Sequence, residues 1–144
     1  MIADQFTVEI KRSLESLQSA NEAVSRWLTG HATPEPVSSF ANLAIEEFAT
    51  NCIKYGYDDQ NEHTIEVRVV LSGGSLVVVI TDDGRPFNPI EAPDPDLNLP
   101  TEERPIGGLG IYLVRKMSDR IEYVREAGRN RVTLWKSVGC PPGN

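Results

Sequence analysis

Cysteine and histidine are scarce, with two of each in 144 residues. Cys52 falls inside a helical pattern and Cys140 in the tail, so no disulfide framework is indicated. No apolar run is long enough to cross a bilayer. The first residues, MIADQFTVEIKR, lack the basic-then-apolar order of a secretion signal. These absences point to a reducing cytoplasm. Positive charge is also short: 14 Lys and Arg face 21 Asp and Glu, for a net charge of -7. A duplex nucleic acid repels such a surface unless one face is basic. Arg125, Arg129 and Arg131 cluster around a turn, where solvated side chains are the plain reading. Neither a direct nucleic-acid partner nor a membrane is expected. A Walker-type G-x-x-x-x-G-K is missing, as is a G-x-G-x-x-G fingerprint, and there is no internal repeat.

What is present reads as one domain over 1–144, with enough apolar residues (40%) for a single core. Residues 5–11 alternate apolar and polar and predict a strand. Ser13 can cap the helix that follows, whose stripe is Leu14, Leu17, Asn21, Val24 and Leu28, and Gly30 ends it. A second helix, in a segment opened by Pro34 and Pro36, runs to Tyr55, with Ser38 and Ser39 as candidate caps. Ala41, Ala44, Ile45, Phe48 and Cys52 share its buried face. Residues 64–71 alternate again, and 72–75 form a hairpin turn. The apolar run 76–80 predicts a central strand covered on both faces. Residues 85–107 carry six prolines and little apolar periodicity, which predicts a functional lid. A short helix and two strands, 120–126 and 131–136, complete the domain, with 127–130 as their turn and 139–144 as a loose tail. The expected class is α+β: a mostly antiparallel sheet with helices on one face.

Three places offer chemistry. Glu47 and Asn51 are one helical turn apart, at the rim of the apolar face. Both present oxygens, the donors Mg²⁺ prefers; solvated helix residues are the plainer alternative. Asp82 ends the buried strand, and Gly84 lets the backbone approach a ligand closely, though Asp82-Asp83-Gly84 also suits an ordinary turn. Gly107, Gly108 and Gly110 precede a helix, where free N–H groups can hold phosphate, or they form a hinge.

Taken in order, these three elements resemble the boxes of the GHKL ATPases, the superfamily of gyrase, Hsp90, histidine kinases and MutL. The likeness runs from about Phe6 to Lys136. Histidine kinases add a dimerisation segment bearing the phosphorylated histidine, and neither His31 nor His63 lies in a helix suited to that role. The runs 82–89 (DDGRPFNP) and 107–114 (GGLGIYLV) instead resemble the anti-sigma factor serine kinases of the RsbW and SpoIIAB type. The resemblance implies a two-layer Bergerat-type sandwich that binds ATP and Mg²⁺. It implies Glu47 as general base and Asn51 as metal ligand. Asp82 would take the adenine amino group, with Gly84 letting the base lie close and Thr133 helping to hold it. Gly108 and Gly110 would meet the phosphates, with Arg104 a candidate γ-phosphate contact. Lys54 is either a phosphate contact, as in histidine kinases, or a solvated lysine. Two departures stand out: Tyr55 where many members have His, and Pro86 where many have a second Gly.

By the same resemblance the protein is a serine/threonine kinase and an anti-sigma factor. It would phosphorylate a STAS-domain anti-anti-sigma factor, release it, and rebind a sigma factor, commonly as a homodimer. The alternative is a non-catalytic ATP-binding module that holds the same partners. Glu47 argues against that alternative, since a pure binder has no need of a base.

Overall fold

The computed structural model describes residues 3–91 and 108–139. Strand β1 (Asp4–Lys11) leads into helices α1 (Leu14–Gly30) and α2 (Glu35–Tyr55). Strands β2 (Thr64–Ser72) and β3 (Ser75–Asp82) follow, then α3 (Gly108–Met117), β4 (Arg120–Glu126) and β5 (Arg129–Ser137). The five strands form one antiparallel sheet in the order β1-β2-β3-β5-β4. The predicted α+β class is the observed one.

Alternation fixes which face of the sheet meets the helices. Ile10, Ile65, Val67, Val69, Leu76, Val78, Ile80, Val132 and Leu134 enter one core with Leu17, Val24 and Leu28 of α1 and Phe40, Ala44 and Ile45 of α2. The Ser13 hydroxyl accepts the Ser16 N–H at 3.1 Å, capping α1 as predicted. At α2 the prolines open the helix as predicted, but the serines do not cap it. The helix begins at Glu35 after Pro34, so Ser38 and Ser39 lie within it. Proline's fixed φ suits a helix start, and it starts this one ahead of both serines.

Both hairpins turn on two residues with positive φ, Gly73-Gly74 (57° and 84°) and Ala127-Gly128 (52° and 76°). Such turns match the strands' own twist. The second turn is therefore shorter than the sequence suggested, and it returns Arg129 and Asn130 to β5. β3 is central, yet helices cover only one of its faces. Val79 looks the other way, between Arg68 and Thr133 in register, and is buried there. Among the described residues no helix is long and apolar enough to cross a membrane.

Candidate nucleotide-binding site

A cavity of about 270 Å³ opens between α2 and the ends of β3 and β5. Phe48, Cys52, Ile80 and Val132 give it apolar walls, Asn51 and Asp82 enter it from α2 and β3, and Tyr55, Arg85 and Phe87 stand around it. An apolar slot with a few directed polar groups is the usual form of a small-molecule site.

Asp82 is held at one oxygen. Its Oδ1 accepts the Gly84 N–H at 2.8 Å and the Asn130 side-chain N–H at 3.0 Å. The Cys52 thiol also bonds to this carboxylate, whose remaining lone pairs keep it an acceptor toward the cavity. Gly84 is buried and serves a different contact from the one expected of it. A methyl group there would fall 2.7 Å from the Gly56 carbonyl oxygen, which also accepts the Arg85 N–H at 2.7 Å. The glycine thus lets β3's exit pack on the end of α2. Cys52, beneath Asp82, donates to the Tyr57 hydroxyl at 3.2 Å. Burial first, and then the Asp82 charge, push its thiol up to about 12, so it stays protonated.

One turn before Asn51, and outside the cavity lining, Glu47 reaches α3. A methyl group on Gly110 would lie 1.5 Å from Glu47 Oε1, so the carboxyl occupies the space that a side chain would need. Burial raises its pKa above the usual 4.5, Glu46 adds to the rise, and Lys54 opposes it. Neither the Glu47 nor the Asn51 side chain has a hydrogen-bond partner among the described residues. An unengaged amide oxygen in the cavity beside a carboxyl suits an oxygen-seeking cation on a phosphate chain. Both groups are therefore available to act on something bound.

The other predicted residues divide. Lys54 is exposed, a further turn along the helix and outside the cavity lining. Gly108 starts α3. Thr133 lies on the open face of the sheet, between Val132 and Leu134, which both point into the core, and it does not line the cavity. Asn130, directly opposite Asp82 in register, lines it instead. Arg104 and residues 92–107 of the predicted lid lie outside the described residues. Sequence reading missed Asn130 by placing it in a four-residue turn. Recognition of the two-residue Ala127-Gly128 turn would have put it on the strand, in phase with Val132.

Behind Asp82 the loop after α2 is fastened by charge. His63 bridges Asp59 (2.8 Å) and Asp83 (3.0 Å), and its ring stacks on Tyr57 with centroids 3.9 Å apart. The hydrogen bond to Asp59, helped by Asp83, holds the imidazolium above its usual 6.5. A raised pKa means that this stabilisation is complete below 6.5 and fades as pH rises through the folded value. The thermal midpoint of the wild type should therefore exceed that of His63→Ala most at about pH 5.5, and the gap should narrow by about pH 8.5. A gap independent of pH would rule out the charged bridge.

A family model described as the histidine kinase-like ATPase domain matches residues 10–136. The chain is 28% identical over 91 residues to the serine-protein kinase RsbW of Bacillus velezensis, covering 60% of this chain and 56% of that protein. It thus spans about half the length of the serine-protein kinase relatives it matches. It is also 26% identical over 128 residues to the anti-sigma F factor of a Thermoanaerobacter species, covering 85% of this chain and 89% of that one. The crystal structure of the RsbU and RsbW domains of Rv1364c from Mycobacterium tuberculosis superposes on 93% of this chain and 32% of its own, with a TM-score of 0.66 and 17% identity, a likeness of fold. The match over 10–136 spans most of the domain, from the end of β1 to β5, and takes in the whole cavity; the chain belongs to the histidine kinase-like ATPase domain family.

Proposed function

We propose that this protein is an ATP-dependent serine/threonine kinase that also acts as an anti-sigma factor, with a STAS-domain antagonist as its substrate. The observation that carries this reading is Glu47, a carboxyl of raised pKa packed against Gly110 of α3, one helical turn from Asn51, which lines the cavity with Asp82. The names of the similar serine-protein kinases and anti-sigma factor support the reading.

On this reading Asp82 Oδ2 accepts the adenine amino group, and the apolar walls take the ring. Asn51 offers its side-chain oxygen to Mg²⁺, which when bound neutralises the phosphates. Gly108 and Gly110 put the N-terminus of α3 beside the phosphates, with Lys54 and Arg104 as further contacts. Glu47 takes the proton from the incoming hydroxyl as its oxygen bonds to the γ-phosphorus, and ADP leaves. Residues 85–107 act as the lid, and a second copy of the chain completes a homodimer. The test is incubation with labelled ATP, Mg²⁺ and STAS-domain proteins, followed by acid. Acid-stable label on the STAS protein is expected; label that acid removes, or none, overturns the kinase reading.

Gly110 gives a separate check. Gly110→Ala should leave the fold intact, because alanine favours a helix over glycine by about 1 kcal/mol. It should nonetheless displace the Glu47 carboxyl. Phosphate transfer is expected to fall about 10²-fold, the usual cost of misplacing a reacting group by an ångström. Full activity in this variant would separate Glu47 from the chemistry.

A further inference from the structure

Asn130 is 3% exposed, yet its side chain is fully engaged. Its amide nitrogen donates to Asp82 Oδ1 at 3.0 Å and to the Arg85 carbonyl at 2.8 Å. Its oxygen accepts the Tyr123 hydroxyl at 2.5 Å and the Phe87 N–H at 3.4 Å. A flipped amide would set its oxygen against a carboxylate and a carbonyl, so the network fixes its orientation. Both donors are used within the protein, and none remains for a nucleotide. Asn130 therefore acts on ligands only through what it holds.

We infer that Asn130 is a positioning residue that locks the rotation of Asp82, so that Oδ2 meets the 6-amino group of a purine, and that it is a determinant of base selectivity. Two parts of the cavity wall and the edge strand β4 meet at this one amide. Asp82 ends β3, residues 85–87 lead away from it, and Tyr123 stands on the edge strand β4. Gly84 helps from the other side by donating to the same Asp82 oxygen. Two donors on Oδ1 leave the carboxylate one orientation, and a preset acceptor discriminates better than one that must reorganise on binding. Tyr123, partly buried against the core, in turn sets the plane of the Asn130 amide through its hydroxyl. The inference rests on the ATP reading of the cavity and adds what makes that cavity selective.

The experiment compares affinity for ATP with affinity for purine riboside triphosphate, which lacks the 6-amino group, in wild type, Asn130→Ala and Tyr123→Phe. Wild type should prefer ATP by tenfold or more, the scale of one hydrogen bond to a charged acceptor. In Asn130→Ala that preference should fall roughly tenfold while affinity for the analogue changes less than about threefold. Equal losses for both nucleotides would show that Asn130 only shapes the cavity, and an unchanged preference would show that Asp82 needs no lock; either result overturns the inference. Tyr123→Phe keeps the ring and removes one hydroxyl, and should lower the preference about threefold. If Asn130→Ala does not fold, Tyr123→Phe decides, and a preference unchanged in it overturns the lock. A wild type that binds neither nucleotide defeats the ATP reading itself, a result distinct from all of these.

Discussion

Glu47→Gln should slow phosphate transfer to the protein substrate by about 10²–10⁴-fold, the range for loss of a general base, while ATP affinity stays within a few-fold of wild type. Glutamine fills the same space beside Gly110, so packing between α2 and α3 is kept. It cannot take a proton from a hydroxyl. The Glu47 side chain has no hydrogen-bond partner among the described residues, so the substitution breaks no internal bond. A pH profile sharpens the test. The wild-type rate should fall on the acid side as the carboxyl protonates, and burial moves that fall above the usual 4.5. The acid limb should be missing from the residual rate of Glu47→Gln. The variant should also retain a bound antagonist for longer, since release follows phosphorylation on the proposed cycle. Transfer at the wild-type rate would leave the non-catalytic binding module as the better reading.

The parts of this site that follow from one element's own period were legible in the sequence. Glu47 and Asn51 share a helix face because they are four apart, and Asp82 is conspicuous because an apolar strand ends there. The parts that depend on two elements meeting were not. Gly110 was visible as a glycine, but its reason is the Glu47 carboxyl, which it meets only where α2 and α3 pack. Gly84 was expected to admit a ligand, yet the group against it is the Gly56 carbonyl. The family resemblance puts Thr133 at the adenine, whereas alternation decides which face of a strand a residue serves. Val132 and Leu134 point to the core, so the threonine between them points away, and Asn130 takes the position facing Asp82. A turn read two residues too long concealed that phase.

Asn51→Ala should weaken ATP binding in the presence of Mg²⁺ by roughly 10²-fold, the upper part of the range for losing a polar contact to a charged group. Asn51 lines the cavity from α2, and its side chain makes no hydrogen bond among the described residues. Its removal therefore leaves no internal partner unsatisfied, and alanine suits a helix better than asparagine. The thermal midpoint without nucleotide should hold or rise, which separates a binding defect from a folding one. Binding in the presence of EDTA then isolates the ion. If the amide oxygen serves Mg²⁺, wild type and Asn51→Ala should bind ATP with similar, weak affinity once the ion is removed, and only the wild type should regain affinity when it is restored. Asn51→Asp supplies a carboxylate oxygen at the same place and should recover much of the Mg²⁺-dependent gain. A loss of equal size with and without Mg²⁺ would mean that Asn51 touches the nucleotide directly. In that case α2 would present one group to the substrate hydroxyl and another to the nucleotide, and the ion would have to be held elsewhere.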